Sequence, residues 1–149
     1  MSDEKTILLV EDDPDDELLT CRALAESKVA NRVIVARDGA EALELLFGSD
    51  AAGREPMANL PEVVLLDLKL PKVSGLEVLE RIRAEPRTRS LPVVVLTSSG
   101  EDRDVGDCYA LGANSYVQKP VEFERFLNAA KQLGLYWLVL NRPPVKPAK

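Results

Sequence analysis

Short apolar runs alternate with helix-period stretches along the whole chain. The runs are Thr6 to Val10, Val33 to Ala36, Val63 to Asp67, Val93 to Thr97 and Ser115 to Gln118. Each has the length and β-branched content of a strand. Between them, Leu18, Cys21 and Ala25 share one helical face, as do Ala40, Leu43 and Phe47, then Leu76, Leu79 and Ile82. Val105, Cys108 and Gly112 continue the pattern, followed by Phe123, Phe126 or Leu127, Ala130 and Trp137. The i, i+3, i+4 spacing of these positions predicts five helices. Two of their starts carry a local signal: Asp38 with Glu41, and Ser74 with Glu77, have capping-box spacing, in which each side chain satisfies a backbone donor the helix leaves orphaned.

Strands separated by helices are most simply parallel with right-handed crossovers, because a tight hairpin cannot join parallel neighbours. The runs at 6 to 10, 63 to 67 and 93 to 97 are almost wholly apolar and suit central strands covered on both faces, whereas the second and fifth are shorter or more polar and suit edges. These features predict an α/β protein with the flavodoxin-like (βα)5 fold, a three-layer sandwich with sheet order 2-1-3-4-5. Its functional crevice should lie outside the carboxyl ends of strands 1 and 3, where connections diverge to opposite faces. The connection from Gly48 to Pro61 reads as a surface loop, and Asn141 to Lys149, with three prolines and three basic residues, as an exposed tail.

A length of 149 residues supports one domain. Composition narrows the function classes further. A net charge of −6 has the wrong sign for binding nucleic acid through bulk electrostatics. No apolar run reaches the length of a membrane span, and Met1 to Lys5 lacks the character of a secretory leader, so a cytoplasmic location is expected. The absence of histidine removes the commonest general base and metal ligand, leaving carboxylates, lysine and hydroxyls for any chemistry. Cys21 and Cys108 lie far from CxxC spacing in apolar-periodic stretches and read as reduced core residues.

The crevice should therefore be acidic. Strand 1 runs into Glu11 and Asp12, and strand 3 ends in Asp67. Three converging carboxylates repel one another and call for a cation, and all-oxygen ligation points to a hard ion such as Mg²⁺. A simpler reading makes Asp12, Asp13, Asp15 and Asp16 caps of the first helix, favouring its positive end; Asp15 and Asp16 are assigned that role. Thr97 at the end of strand 4 and Lys119 just after strand 5 fall at the same sheet edge. A carboxylate nucleophile, a cation, a hydroxyl and an ammonium together can hold a phosphoryl group.

With these residues in place, the sequence resembles the receiver domain of two-component response regulators over residues 5 to about 135. The acidic pair matches Glu11 and Asp12, and the phospho-acceptor matches Asp67, followed by Leu70, Pro71 and Gly75. The switch hydroxyl matches Thr97, the lysine matches Lys119 before Pro120, and Tyr116 falls at the family's rotameric aromatic. The resemblance implies that Asp67 accepts phosphate from a phosphohistidine on a sensor histidine kinase. It implies that the Lys69 backbone carbonyl completes the Mg²⁺ site and that the Lys119–Pro120 peptide is cis. It further implies a signalling protein whose chemistry is limited to its own phosphorylation and dephosphorylation. Two features depart from the family pattern: the loop from Gly48 to Pro61 is longer than usual, and Lys69 stands two residues after the acceptor. That lysine, lying across the phosphoryl group, is expected to slow self-dephosphorylation, since Ser98 and Ser99 offer no group to orient an attacking water.

The expected division is a receiver domain over residues 1–134 and an aromatic extension with a Pro-rich tail over 135–149, with no output domain. The stretch GLYWLVLNRPP, residues 134 to 144, resembles the extension of regulators paired with bacterial phytochrome kinases. Tyr136, Trp137, Leu138, Val139 and Leu140 exceed one helical face, which predicts a homodimer or partner surface. Two competing readings are weaker. A phosphatase of the haloacid dehalogenase type needs an acid two residues after its nucleophile, where Lys69 stands. A flavin-binding flavodoxin-like module needs a phosphate cradle after strand 1, where Glu11, Asp12 and Asp13 would repel phosphate.

Overall fold

The computed structural model describes residues 6–26, 32–49, 51, 53–68, 70, 73–97, 106–107, 109–119, 124–125 and 128. Five strands, β1 (Thr6–Val10), β2 (Arg32–Ala36), β3 (Val63–Asp67), β4 (Val93–Thr97) and β5 (Ser115–Gln118), form one parallel sheet in the order β2-β1-β3-β4-β5. Three helices alternate with them: α1 (Pro14–Glu26), α2 (Gly39–Phe47) and α3 (Gly75–Ala84). Helical residues also occur at 106–107 and 109–110, before β5, and at 124–125 and 128 after it. The architecture is the flavodoxin-like one that the alternation of runs predicts.

The alternation of side chains along β1 shows why both sheet faces must be covered. Ile7 and Leu9 enter one cluster with Leu24 and Cys21 of α1, while Leu8 and Val10 enter the opposite cluster with Ala42 and Leu46 of α2 and Val78, Leu79 and Ile82 of α3. All four β1 residues from Ile7 to Val10 are fully buried, as a central strand in a parallel sheet requires. The edge strand β2 is less covered, and it begins one residue earlier than its apolar pattern suggests.

The α1 face differs from the sequence expectation. Leu18 is 57% exposed, whereas Thr20 and Leu24, one turn apart, are buried, with Cys21 half-buried beside them. The stretch from Leu18 to Leu24 is apolar around most of its circumference, so periodicity alone does not say which stripe meets the sheet. Cys21 is a free thiol, and burial, aided by the charge of Glu17, pushes its pKa up. Cys108 lies outside the described residues, as do the aromatic extension and tail.

Both predicted helix starts form. Ser74 accepts from the Glu77 N–H at 3.2 Å and Glu77 accepts from the Ser74 N–H at 3.0 Å, a complete capping box on α3. At α2, Asp38 accepts from the Glu41 N–H at 2.7 Å, but the Glu41 carboxylate accepts from the N–H of Arg37, one residue further out. The long connection after α2 is pinned rather than loose. Ser49 and Arg54 form an antiparallel bridge, Met57 donates its N–H to Leu45 O at 2.9 Å, and the Arg87 guanidinium donates to the carbonyls of Leu46 and Met57. Met57 and Leu60 thereby pack on the core.

A second arginine aligns the strands that carry the site. Arg83 of α3 donates to Gly112 O at 2.9 Å, Leu91 O at 2.7 Å, Arg89 O at 3.0 Å and Asn114 Oδ1 at 2.8 Å. Asn114 Oδ1 also accepts from the Val93 N–H at 2.8 Å. Gly112 has φ +100, and a Cβ there would lie 2.9 Å from Arg83 Nε, so glycine serves both the backbone conformation and the close approach. This clamp joins the starts of β4 and β5, and their far ends consequently emerge side by side, with Thr97 paired to Gln118.

Candidate functional site

The parallel register brings the functional residues to one sheet edge. Val10 pairs with Leu66, so Glu11 and Asp67, the next residues of their chains, leave β1 and β3 together. The chain then turns into α1 through Asp13, whose Oδ1 accepts from the N–H groups of Asp15 at 2.8 Å and Asp16 at 3.4 Å, with Pro14 as the first helical residue. Asp13 is the cap, because its short carboxylate reaches the donors two and three residues on. Glu11 Oε2 in turn accepts from the Asp13 N–H at 3.2 Å.

The loop after Asp67 is held by two glycines. A Cβ on Gly75 would lie 2.2 Å from Asp67 O, and a Cβ on Gly39 would lie 2.1 Å from Val73 O. Either contact is impossible for a real side chain, so the starts of α2 and α3 sit directly on the backbone that presents Asp67. The Gly75 N–H donates to Leu68 O at 3.0 Å and closes this loop.

Four charged side chains meet at the edge. Lys119 Nζ lies 2.7 Å from Glu11 Oε1, 3.0 Å from Asp16 Oδ2 and 3.1 Å from Asp67 Oδ2. Glu11 is fully buried and Asp67 nearly so. Burial drives the Glu11 carboxyl from 4.5 up to about 7, with Lys119 opposing the shift and the charge of Asp67 adding to it. Burial works against the charge on Lys119, but the carboxylates of Glu11, Asp16 and Asp67 outweigh it and push the ammonium above the usual lysine range. Lys119 therefore stays charged at any pH the protein meets.

The same carboxylates suit a cation. Glu11, Asp12 and Asp67 each offer an oxygen within 4.8 Å of the others. Glu11 Oε1, fully buried, has the Lys119 ammonium at 2.7 Å as its counter-charge. A buried carboxylate beside two further carboxylates, an all-oxygen donor set, fits a hard divalent ion.

The sequence-predicted residues thus divide. Glu11, Asp12, Asp67 and Lys119 come together as expected. Thr97 ends β4 at the same edge. Tyr116 lies in β5 and is 37% exposed, its ring edge-on to Tyr109 at 6.2 Å between centroids and 82° between planes. Lys69, Pro120, Ser98 and Ser99 lie outside the described residues. Asp16 requires a correction: it is no mere helix cap, since its side chain crosses to Lys119 while Asp13 does the capping. An excess of carboxylates over what one helix start can use was the signal available in the sequence.

The response regulator receiver domain family matches residues 7–131. Among curated relatives, the chain is 43% identical over 138 residues to the probable methanogenesis regulatory protein FilR2 of Methanothrix harundinacea, covering 93% of this chain and 86% of that one. It is 37% identical over 142 residues to the response regulator Rcp1 of Synechocystis, covering 93% and 95%. Among solved structures, the bacteriophytochrome response regulator AtBRR superposes with a TM-score of 0.82 at 49% identity, over 95% of this chain and 100% of that one. The bacteriophytochrome response regulator RtBRR gives 0.80 at 55%, over 95% and 85%. The Mn(2+)-bound form of Rcp1 gives 0.72 at 35%, over 95% and 99%.

Proposed function

The chain belongs to the response regulator receiver domain family, and from that premise we propose that it accepts a phosphoryl group on Asp67 from a phosphohistidine of a sensor histidine kinase. The observation that carries this reading is the position of Asp67: it alone of the described carboxylates ends a central strand, borders the oxygen cluster with Glu11 and Asp12, and meets Lys119 at 3.1 Å. A carboxylate oxygen of Asp67 attacks phosphorus, the bond from phosphorus to the donor nitrogen breaks, and the imidazole departs with the bonding pair. Lys119 brings a fixed positive charge to the phosphoryl oxygens, and Thr97, at the end of β4, supplies a hydroxyl.

Glu11, Asp12 and Asp67, with the backbone carbonyl of Lys69, would hold Mg²⁺. Once bound, that ion would neutralise charge on the transferring group. A manganese-bound relative supports a divalent ion in this family. The phytochrome-associated structures support a kinase of the bacterial phytochrome type as partner.

The phosphorylated state would be read through Thr97 and Tyr116, the hydroxyl moving toward the phosphoryl group and the exposed ring turning into the space released. Residues 1–134 form the receiver in this reading, and the aromatic segment beyond them supports a homodimer in the cytoplasm, testable by sedimentation of the chain with and without that segment.

Intact-mass measurement after incubation with a small phosphodonor and Mg²⁺ tests the central claim. One phosphoryl group should add to the natural chain and none to Asp67→Asn. Equal labelling of the two would refute the assignment.

A further inference from the structure

The proposed reaction uses Glu11, Asp12, Asp67 and Lys119 and leaves Asp16 without a part, although Asp16 contributes one of the three described carboxylates around the Lys119 ammonium. Those carboxylates are not equivalent. Glu11 and Asp67 face the ammonium and also belong to the oxygen cluster with Asp12, whereas Asp16 lies outside that cluster and faces Lys119 from the first turn of α1. Their exposure follows the same order. The Glu11 side chain is 0% and the Asp67 side chain 7% exposed, while Asp16 is 31% exposed at the rim.

An ammonium has three donors, and here each has a carboxylate in reach. Among the described residues, removing the rim partner leaves Glu11 and Asp67 as the carboxylates at the ammonium, so their pull on it then points into the cluster. A lysine drawn inward neutralises the same oxygens that a divalent ion needs. We propose that Asp16 is a positioning residue for Lys119, sharing its ammonium with Glu11 and Asp67 so that these two carboxylates do not hold it alone and can yield it to a divalent cation. This rests on the reading of Glu11, Asp12 and Asp67 as the cation's ligands.

A double-variant cycle read by calorimetric Mg²⁺ titration separates this role from the plain loss of a negative charge. Asp16→Asn is titrated in the natural chain and in Lys119→Ala at one fixed ionic strength. Loss of charge acts in both backgrounds, while release of the lysine acts only in the first. Asp16→Asn should therefore weaken Mg²⁺ binding more in the natural chain than in Lys119→Ala, by about three- to tenfold, the scale of one partly exposed charged hydrogen bond. Asp16→Glu, which keeps a carboxylate at the rim, should recover most of the loss.

Equal weakening in the two backgrounds overturns the positioning role, as does unchanged binding in Asp16→Asn. Either result leaves the ligand reading standing. A natural chain that binds no Mg²⁺ overturns that reading and this inference with it. Should Lys119→Ala not fold, the nitrogen-resolved magnetic resonance signal of the Lys119 ammonium replaces the cycle. It should move in Asp16→Asn and return in Asp16→Glu, and an unmoved signal refutes the proposal.

Discussion

Asp67 and Lys119 stand 52 residues apart in the chain, yet their side chains meet at 3.1 Å. The contact exists because β3 and β5 flank β4 and run the same way, so that residues just past their ends share one edge. Glu11 and Asp16 complete the group from the neighbouring β1 and α1.

Lys119 should be as important to folding as to chemistry. It compensates buried carboxylates and is itself only 10% exposed. Removing one partner of a buried ionic group costs about 3 kcal/mol, because the charges left behind are uncompensated. Lys119→Met is expected to lose about that much in a urea titration of the metal-free protein. Saturating Mg²⁺ should return part of the loss, since a cation that binds only the folded state stabilises it. Unchanged stability would show that the carboxylates do not depend on this ammonium.

Glu11 makes metal-free stability depend on pH near neutrality. Its carboxyl titrates at about 7 when folded, chiefly through burial, against an ordinary value of 4.5. The folded state therefore holds a proton that the unfolded chain has released, and stability falls as pH rises through 7. Between pH 6 and 8 in chelator, the natural chain should lose about 1 kcal/mol more than Glu11→Gln. Parallel profiles for the two proteins would contradict this origin.

Asp12 and Asp15, three residues apart, should behave differently toward Mg²⁺. Asp12 belongs to the oxygen cluster, whereas Asp15 is exposed in the first turn of α1, its N–H capped by Asp13. Asp12→Ala is expected to weaken Mg²⁺ binding at least about tenfold, since even the partners that merely orient a ligand are worth that much. Asp15→Ala should change it by no more than about twofold, the effect of one screened surface charge. Equal losses would remove Asp12 from the ligand set.

Gly39 should control the acceptor loop from outside it. An alanine Cβ would fall 2.1 Å from Val73 O, so the loop between β3 and α3 must shift. Gly39→Ala is expected to cost about 1–3 kcal/mol, as overpacking against backbone does, and to slow phosphorylation of Asp67 through misplacement of its loop. Thermal unfolding and the mass-detected labelling rate measure the two effects. A variant with native stability and rate would show that the loop yields freely.

What the sequence by itself determined was everything carried by local pattern. Apolar runs marked five strands, Ser74 with Glu77 marked a helix start, and Glu11, Asp12, Asp67 and Lys119 could be placed at one edge because parallel strands must all end on the same side. Tertiary structure decided the rest. Local pattern does not report helix rotation: it puts Leu18 on one face with Cys21, whereas Leu18 is exposed and Thr20 and Leu24 are buried. It does not divide neighbouring acids by role either. Asp13 caps α1 and Asp16 reaches Lys119, a separation visible only once β5 lies across the sheet from the first helix. The buried oxygen of Glu11 and the two glycine contacts beneath the acceptor loop likewise arise from packing between distant segments, and no short-range signal encodes them.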